Sequence, residues 1–367
     1  MKKNRMPSWI LLNPGPVNVT ARVRRALLQP DICHREKEFS DLLRNVREKL
    51  LRIFRISKTH TAAFLTGSGT TALEAMLTSR AASGKILVLS NGVYGERIRT
   101  ILERRGVPVK TLSSPMGDFP SLERIERALK QDRALRAVAM VHHETSSGML
   151  NPLSAVGTLA KKYGKTFLID AISSLGAESI DFKKDGVDFC AGTSGKCLHA
   201  FPGVSFVIVS KKEVRNLRRQ KPASLALDLA NALDHQERND VPFTPAVQLF
   251  YALDRALDEL KEEGLSGRIA DYAYKNSLLQ EGFSKLNLRF LIPKERRSHV
   301  LTALWTPSFI SYSKLHDELK KKGFIIYAGQ STLKDKIFRV SNLGNIQAGG
   351  IQRFLSSLKT VLSHAKR

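Results

Sequence analysis

A largely parallel α/β sheet with helices on both faces, followed by a smaller α+β domain, is the fold class predicted by three features of this 367-residue chain. Short apolar runs alternate with helical patterns from about residue 60 to 210, the pattern of parallel strands joined by crossovers. A long amphipathic stretch then leads out of that region. Beyond it, strands and helices mix rather than alternate.

The runs are 85–90, 107–112, 137–142, 165–170, 188–193 and 204–210, with helical stretches expected between them. Residues 246–263 carry Leu249, Phe250, Leu253, Leu257 and Leu260 at helical spacing, and Gly264 is placed to stop that helix. Further on, helices are expected over 269–282 and 311–322, and strands over 300–305, 323–327 and 337–340. The first twenty residues, with Pro14-Gly15-Pro16, read as an extended arm outside the sheet. The expected division is an arm at 1–20, a large domain at 21–255 and a small domain at 256–367.

A hydrophobic content of 42% suits a soluble globular protein with a sizeable core. No apolar run approaches the roughly 20 residues of a membrane span, and the opening Met1 to Pro7 lacks a signal peptide's apolar stretch, so a cytoplasmic protein is expected. Cys33, Cys190 and Cys197 are unclustered, which argues against a disulfide framework and a metal site. The formal charge of +25 would by itself suggest nucleic acid. Its basic residues, however, are scattered in short clusters such as Arg215 to Lys221, without a tail or aromatic interleaving, so no nucleic acid partner is expected. A positive field would draw in small anionic substrates.

The chemistry concentrates at strand ends. Asp170 closes the run 165–170, and Lys196 follows 26 positions later in Thr193-Ser194-Gly195-Lys196. That interval allows one crossover between neighbouring parallel strands, which brings both side chains to one sheet edge. Such a pair is what pyridoxal 5′-phosphate (PLP) requires: an amine to carry its aldehyde as a Schiff base and a carboxylate to keep its ring nitrogen protonated. Singly, a surface lysine and a helix-capping aspartate would explain the same residues.

Ser68, Gly69 and Thr70 precede a helical pattern and leave N–H groups and hydroxyls for a phosphate, although an ordinary capped turn has the same composition. Tyr94, on the loop after 85–90, is placed either to stack on a pyridine ring or to pack half-buried. In the polar cluster after 137–142, Thr145 is assigned to the cofactor's ring hydroxyl. His142 is expected to pack under the cofactor or satisfy a backbone group rather than bind a metal. Arg339, in a strand of the small domain, offers bidentate donors to a substrate carboxylate or phosphonate, with a strand-surface ion pair as the alternative.

These stretches, with Leu12-Asn13-Pro14-Gly15-Pro16, Asp31 to Phe39, Glu144-Thr145, Gly148 to Pro152, Ser173-Ser174, Pro202-Gly203 and Ile326-Tyr327, resemble the class V aminotransferases of PLP fold type I in their order along the chain. The resemblance implies a mostly parallel seven-stranded sheet between helices. It also implies that Lys196 carries the cofactor, Asp170 meets its ring nitrogen, Tyr94 stacks, Ser68, Gly69 and Thr70 lie at the phosphate, and Arg339 receives the substrate anion. Thr244 falls where the family brings a phosphate contact from a second subunit, which implies a homodimer with sites at the interface.

The activity implied moves an amino group from a small anionic donor to a 2-oxo acid. The branches in view are an aminophosphonate donor with pyruvate, an alanine- or serine-glyoxylate (or -pyruvate) exchange, and a lyase acting on an aminophosphonate. The chain departs from the family pattern in three places: Gly195 stands for Asn or Gln, Val241 for a tyrosine, and Ala328-Gly329-Gln330 for Pro-Gly-Lys.

Overall fold

The structure is a computed structural model that describes residues 8–81, 84–220 and 224–366. The first seven residues of the expected arm, and Lys221 of the basic cluster, lie outside the described residues.

Seven strands build the central sheet: β1 (His60–Gly67), β2 (Lys85–Ser90), β3 (Val109–Ser113), β4 (Leu135–Val141), β5 (Thr166–Asp170), β6 (Phe189–Thr193) and β7 (Gly203–Ser210), in the order β1-β7-β6-β5-β4-β2-β3. β7 pairs antiparallel with both β1 and β6, and every other pairing is parallel. The first six strands therefore run in one direction and end at one edge. Both faces are covered, as the burial of alternate side chains requires: Leu87 and Leu89 enter one apolar core while Ile86 and Val88 enter the other.

Four helices matter for the site. α1 (Lys37–Ile53) packs against α4 (Val247–Glu263), with Phe39 and Phe250 edge to face at 5.5 Å and Lys49 bridging Asp254 and Asp258 at 2.7 and 2.6 Å. α2 (Gly69–Ala81) starts directly from the end of β1, and α3 (Val93–Arg104) from the loop after β2. α4 ends at Gly264, whose φ of +78° is the left-handed conformation that a stop glycine permits.

The small domain holds the antiparallel strands β8 (Leu301–Trp305), β9 (Tyr327–Ala328) and β10 (Ile337–Ser341), with the helices Leu265–Lys285, Tyr312–Lys321 and Ala348–Lys366 around its own core.

One strand lies outside the runs expected above, and three expectations are corrected. The run 60–67, interrupted by Thr61 and Thr66, is a fully formed strand. No helix joins β5 to β6 or β6 to β7: in the first connection Ser173 and Ser174 bond to His143 and His142, and Gly176 and Gly186 take φ of +98° and +64°. The stretch 323–327 divides, Phe324–Ile325 pairing with the arm and Tyr327–Ala328 with β10. The arm is not wholly outside the sheets, because Ile10–Leu11 forms that parallel pair and Leu12 enters the small domain's core.

Candidate active site

The sheet edge where β1, β2, β4, β5 and β6 end opens into a cleft of about 280 Å³. Ser68, Gly69, Thr70, Tyr94, Thr145, Asp170 and Lys196 all line it. Ligands of open α/β sheets bind at this carboxyl edge because loops, rather than paired backbone, face the solvent there.

β5 and β6 are adjacent and parallel, with Asp170 opposite Ala191, so the chain does return the lysine to the aspartate's edge. One Asp170 oxygen accepts the Ile172 N–H at 2.9 Å. Burial raises the carboxyl to about 6, opposed by that hydrogen bond. Burial likewise lowers the Lys196 amine, with Cys197 and Asp170 opposing and the charges of Arg339 and Arg97 assisting. A lysine held this way reaches its neutral, nucleophilic form more readily than a free one.

The arm forms one wall. Lys196 Nζ donates to the carbonyl of Pro14, and Gly15 and Pro16 line the cleft. Gly15 has a φ of +112°, and a Cβ there would stand 2.5 Å from Lys196 Nζ. Only glycine meets both conditions.

Tyr94 is positioned by Glu144. That buried carboxylate accepts the N–H groups of Tyr94, Gly95 and Ser146, each at 3.1 Å, as well as the Ser146 hydroxyl. It thus caps the start of α3, where the helix dipole favours an anion. Burial raises the Glu144 carboxyl, and these hydrogen bonds oppose the shift.

Arg339 on β10 is buried and stands outside the cleft lining. Its Nη1 donates to the Thr145 carbonyl at 2.8 Å and to Gln330 Oε1 at 3.1 Å, and its Nε to the Ala328 carbonyl at 2.8 Å. It therefore joins the cleft through Thr145. Thr244 is not brought to the cleft of its own chain: it is exposed and lines a separate cavity with Val241.

Of the two roles expected for His142, it does not line the cleft, and instead of a backbone group its Nδ1 meets the side chain of Ser174, at Oγ, at 3.1 Å. The neighbouring His143 does line it, held by Ser173 at 3.2 Å and by Ser298 Oγ of the small domain at 2.8 Å. Burial lowers His143 to about 4, so it is neutral near pH 7. Arg97, Gly15 and Pro16 also line the cleft without having been singled out from the sequence for the site. The only available signal was helical spacing, which puts Arg97 one turn after Tyr94.

A half-buried, easily neutralised lysine in the same cleft as a buried carboxylate, at the mouth of a parallel sheet and near a helix N-terminus, defines a class of enzyme that works through a lysine-held cofactor. Residues 20–352 match the family model described as Aminotransferase class-V, and the chain belongs to that family; it is a transaminase of the kind that depends on PLP. A 2-aminoethylphosphonate–pyruvate transaminase of Vibrio vulnificus (strain CMCP6) is 34% identical over 361 residues, which cover 96% of this chain and 98% of the relative. Among solved structures, an alanine–glyoxylate aminotransferase from Nostoc superposes with a TM-score of 0.91 at 28% identity, covering 99% of this chain and 97% of the other. A ureidoglycine–glyoxylate aminotransferase from Bacillus subtilis superposes with a TM-score of 0.92 at 25% identity, covering 100% and 96%.

The cleft's residues fit the cofactor that family membership implies. They combine an amine, a carboxylate near it, an aromatic ring and a helix start rich in hydroxyls and free N–H groups.

Proposed function

We propose that this chain moves the amino group of 2-aminoethylphosphonate to pyruvate, giving phosphonoacetaldehyde and alanine, with PLP held by Lys196 and Asp170. The observation that carries the reading is the convergence of Lys196, Asp170, Tyr94 and the Ser68 to Thr70 turn on one cleft. The donor is suggested by the name of the Vibrio vulnificus relative.

When bound, the cofactor supplies an aldehyde that takes up the donor's nitrogen and a ring that accepts the electron pair left behind when a proton departs. Asp170 would keep the proton on the ring nitrogen, and its burial would strengthen that contact. Lys196 Nζ, brought toward its neutral form by burial, removes the proton from the carbon that bears the amine and delivers it to the other side of the exchange. Ser68, Gly69 and Thr70 would hold the phosphate, Tyr94 would stack on the ring, and Thr145 would serve the ring hydroxyl.

Arg339 receives the phosphonate of the donor and the carboxylate of the acceptor. Its Nε and Nη1 are engaged, while Nη2 makes no hydrogen bond among the described residues. In a homodimer, the exposed Thr244 would serve the partner's cofactor phosphate. The cytoplasm suits these substrates; among the described residues no helix is long and apolar enough to cross a membrane.

A glyoxylate-using exchange is the second reading, favoured by Ala328-Gly329-Gln330 beside Arg339 and by the two structural neighbours. Visible spectra of the PLP-loaded protein during separate additions of 2-aminoethylphosphonate, alanine and serine decide between them. Conversion to the amine form of the cofactor by aminoethylphosphonate and by alanine supports the phosphonate reading. Response to alanine or serine alone transfers the assignment to the glyoxylate branch, and ammonia release without a 2-oxo acid indicates a lyase.

A further inference from the structure

We propose that Arg97 supplies the fixed positive charge for the cofactor's phosphate, doing so in a chain whose position 195 has no room for a side chain. The inference rests on the PLP reading of the same cleft.

A phosphate monoester carries a charge of about −1.5 to −2 near pH 7. The start of α2, where Ser68, Gly69 and Thr70 lie, offers the equivalent of only about half a positive charge. A deficit of about one charge remains, and hydroxyls cannot fill it. In the relatives' pattern a polar side chain stands just before the lysine. Here Gly195 lines the cleft, and a Cβ on it would come within 2.8 Å of both N and Cα of Pro202. Those are backbone atoms, so no side chain fits without moving the chain.

Arg97 is placed to make up the deficit. It lines the cleft, and its Nη1 donates to Thr70 Oγ1 at 3.2 Å, which puts the guanidinium at the helix-start end. The hydroxyl of Thr70, with a lone pair engaged by Arg97, is left free to donate to an anion. The guanidinium carbon stands 4.6 Å from the centroid of the Tyr94 ring, a contact that fixes its position.

Two other arginines near this helix are already paired. Arg99 binds Glu96 and Glu103 at 2.8 and 2.6 Å, and Arg105 binds Glu74 at 2.8 Å. No carboxylate pairs with Arg97 among the described residues. The lining's other strong cation, Lys196, is committed to the aldehyde.

The test compares two ligands that differ only in the phosphate. Wild-type, R97Q and R97K apoproteins are titrated with PLP and with pyridoxal, following the visible absorbance of the lysine-bound form, after thermal unfolding has shown the variants to be folded. R97Q is expected to raise the Kd for PLP at least tenfold and to change that for pyridoxal less than twofold, with R97K recovering part of the loss. Equal weakening of both ligands would mean that Arg97 only supports Tyr94, and an unchanged Kd for PLP with a raised KM for the anionic donor would move Arg97 to the substrate; either overturns the proposal. A wild-type protein that binds neither ligand would instead remove the PLP reading itself.

Discussion

The main-chain carbonyl of Thr145, in the cleft wall of the large domain, accepts a hydrogen bond from Arg339 of the small domain at 2.8 Å. One guanidinium thus ties the wall of the site to strand β10 while its Nη2 stays available. Burial lowers the Arg339 guanidinium, yet arginine remains charged across the working pH range.

Replacing Arg339 with alanine should therefore act on anionic substrates above all. Loss of a buried, charge-assisted contact costs about 2 kcal/mol or more, roughly 30-fold. Steady-state kinetics should place that loss in kcat/KM for aminoethylphosphonate and for pyruvate together. A loss confined to one of them would show that Arg339 does not serve both halves of the exchange.

Asp170 gives a pH dependence with a definite sign. Its folded carboxyl lies at about 6, above its ordinary value of 3.8, so between those values the folded apoprotein binds more protons than the unfolded chain. Stability from this group is therefore highest at low pH and falls as pH rises through that window, by about 3 kcal/mol in all. Denaturant unfolding of the apoprotein from pH 4 to 7 should show the fall, and D170N should remove it. Parallel curves for the two proteins would mean that Asp170 is not desolvated in this way.

Gly15→Ala should weaken cofactor capture without touching a group that contacts the cofactor's ring or phosphate. The new methyl would need the φ of +112° and would meet Lys196 Nζ at 2.5 Å, so either the arm or the lysine must move. A strained residue of this kind costs about 1–3 kcal/mol. The rate of absorbance gain on adding PLP to apoprotein should drop together with the melting temperature; an unchanged rate would mean that the arm does not control where the lysine points.

Thr244 tests the subunit arrangement. If it reaches the partner's phosphate, T244A should raise the Kd for PLP severalfold in a protein that still sediments as a dimer. A monomeric wild-type protein that binds PLP just as tightly would contradict that arrangement.

Much of this was legible because it rests on local signals. The strands 85–90 and 165–170 are short, apolar and bounded by turn residues. Lys196 and Asp170 stand out in the sequence because few other residue pairs suit the chemistry proposed for them, and the fold brings both to one cleft. What stayed hidden depends on contacts between distant segments. Nothing local distinguishes His142 from His143; the second faces the cleft because Ser173 and Ser298, 30 and 155 positions away, hold it there. Glu144 caps a helix that begins some 50 residues earlier, so no capping motif announces it. β1 was obscured by His60 and Thr61, polar side chains whose burial only the assembled sheet reveals, and by Thr66, which stays exposed near the strand's end. The helix expected between β5 and β6 gave way to glycines at positive φ, which a periodicity reading does not register.

The most direct test of the central claim is to load the protein with PLP, reduce it with borohydride and map the modified peptide by mass spectrometry. A single pyridoxyl group on Lys196, and none in K196A, is the predicted result. Modification of a different lysine, or an unmodified protein that nevertheless transfers the amino group, would contradict the assignment of Lys196 and with it the reading of the cleft.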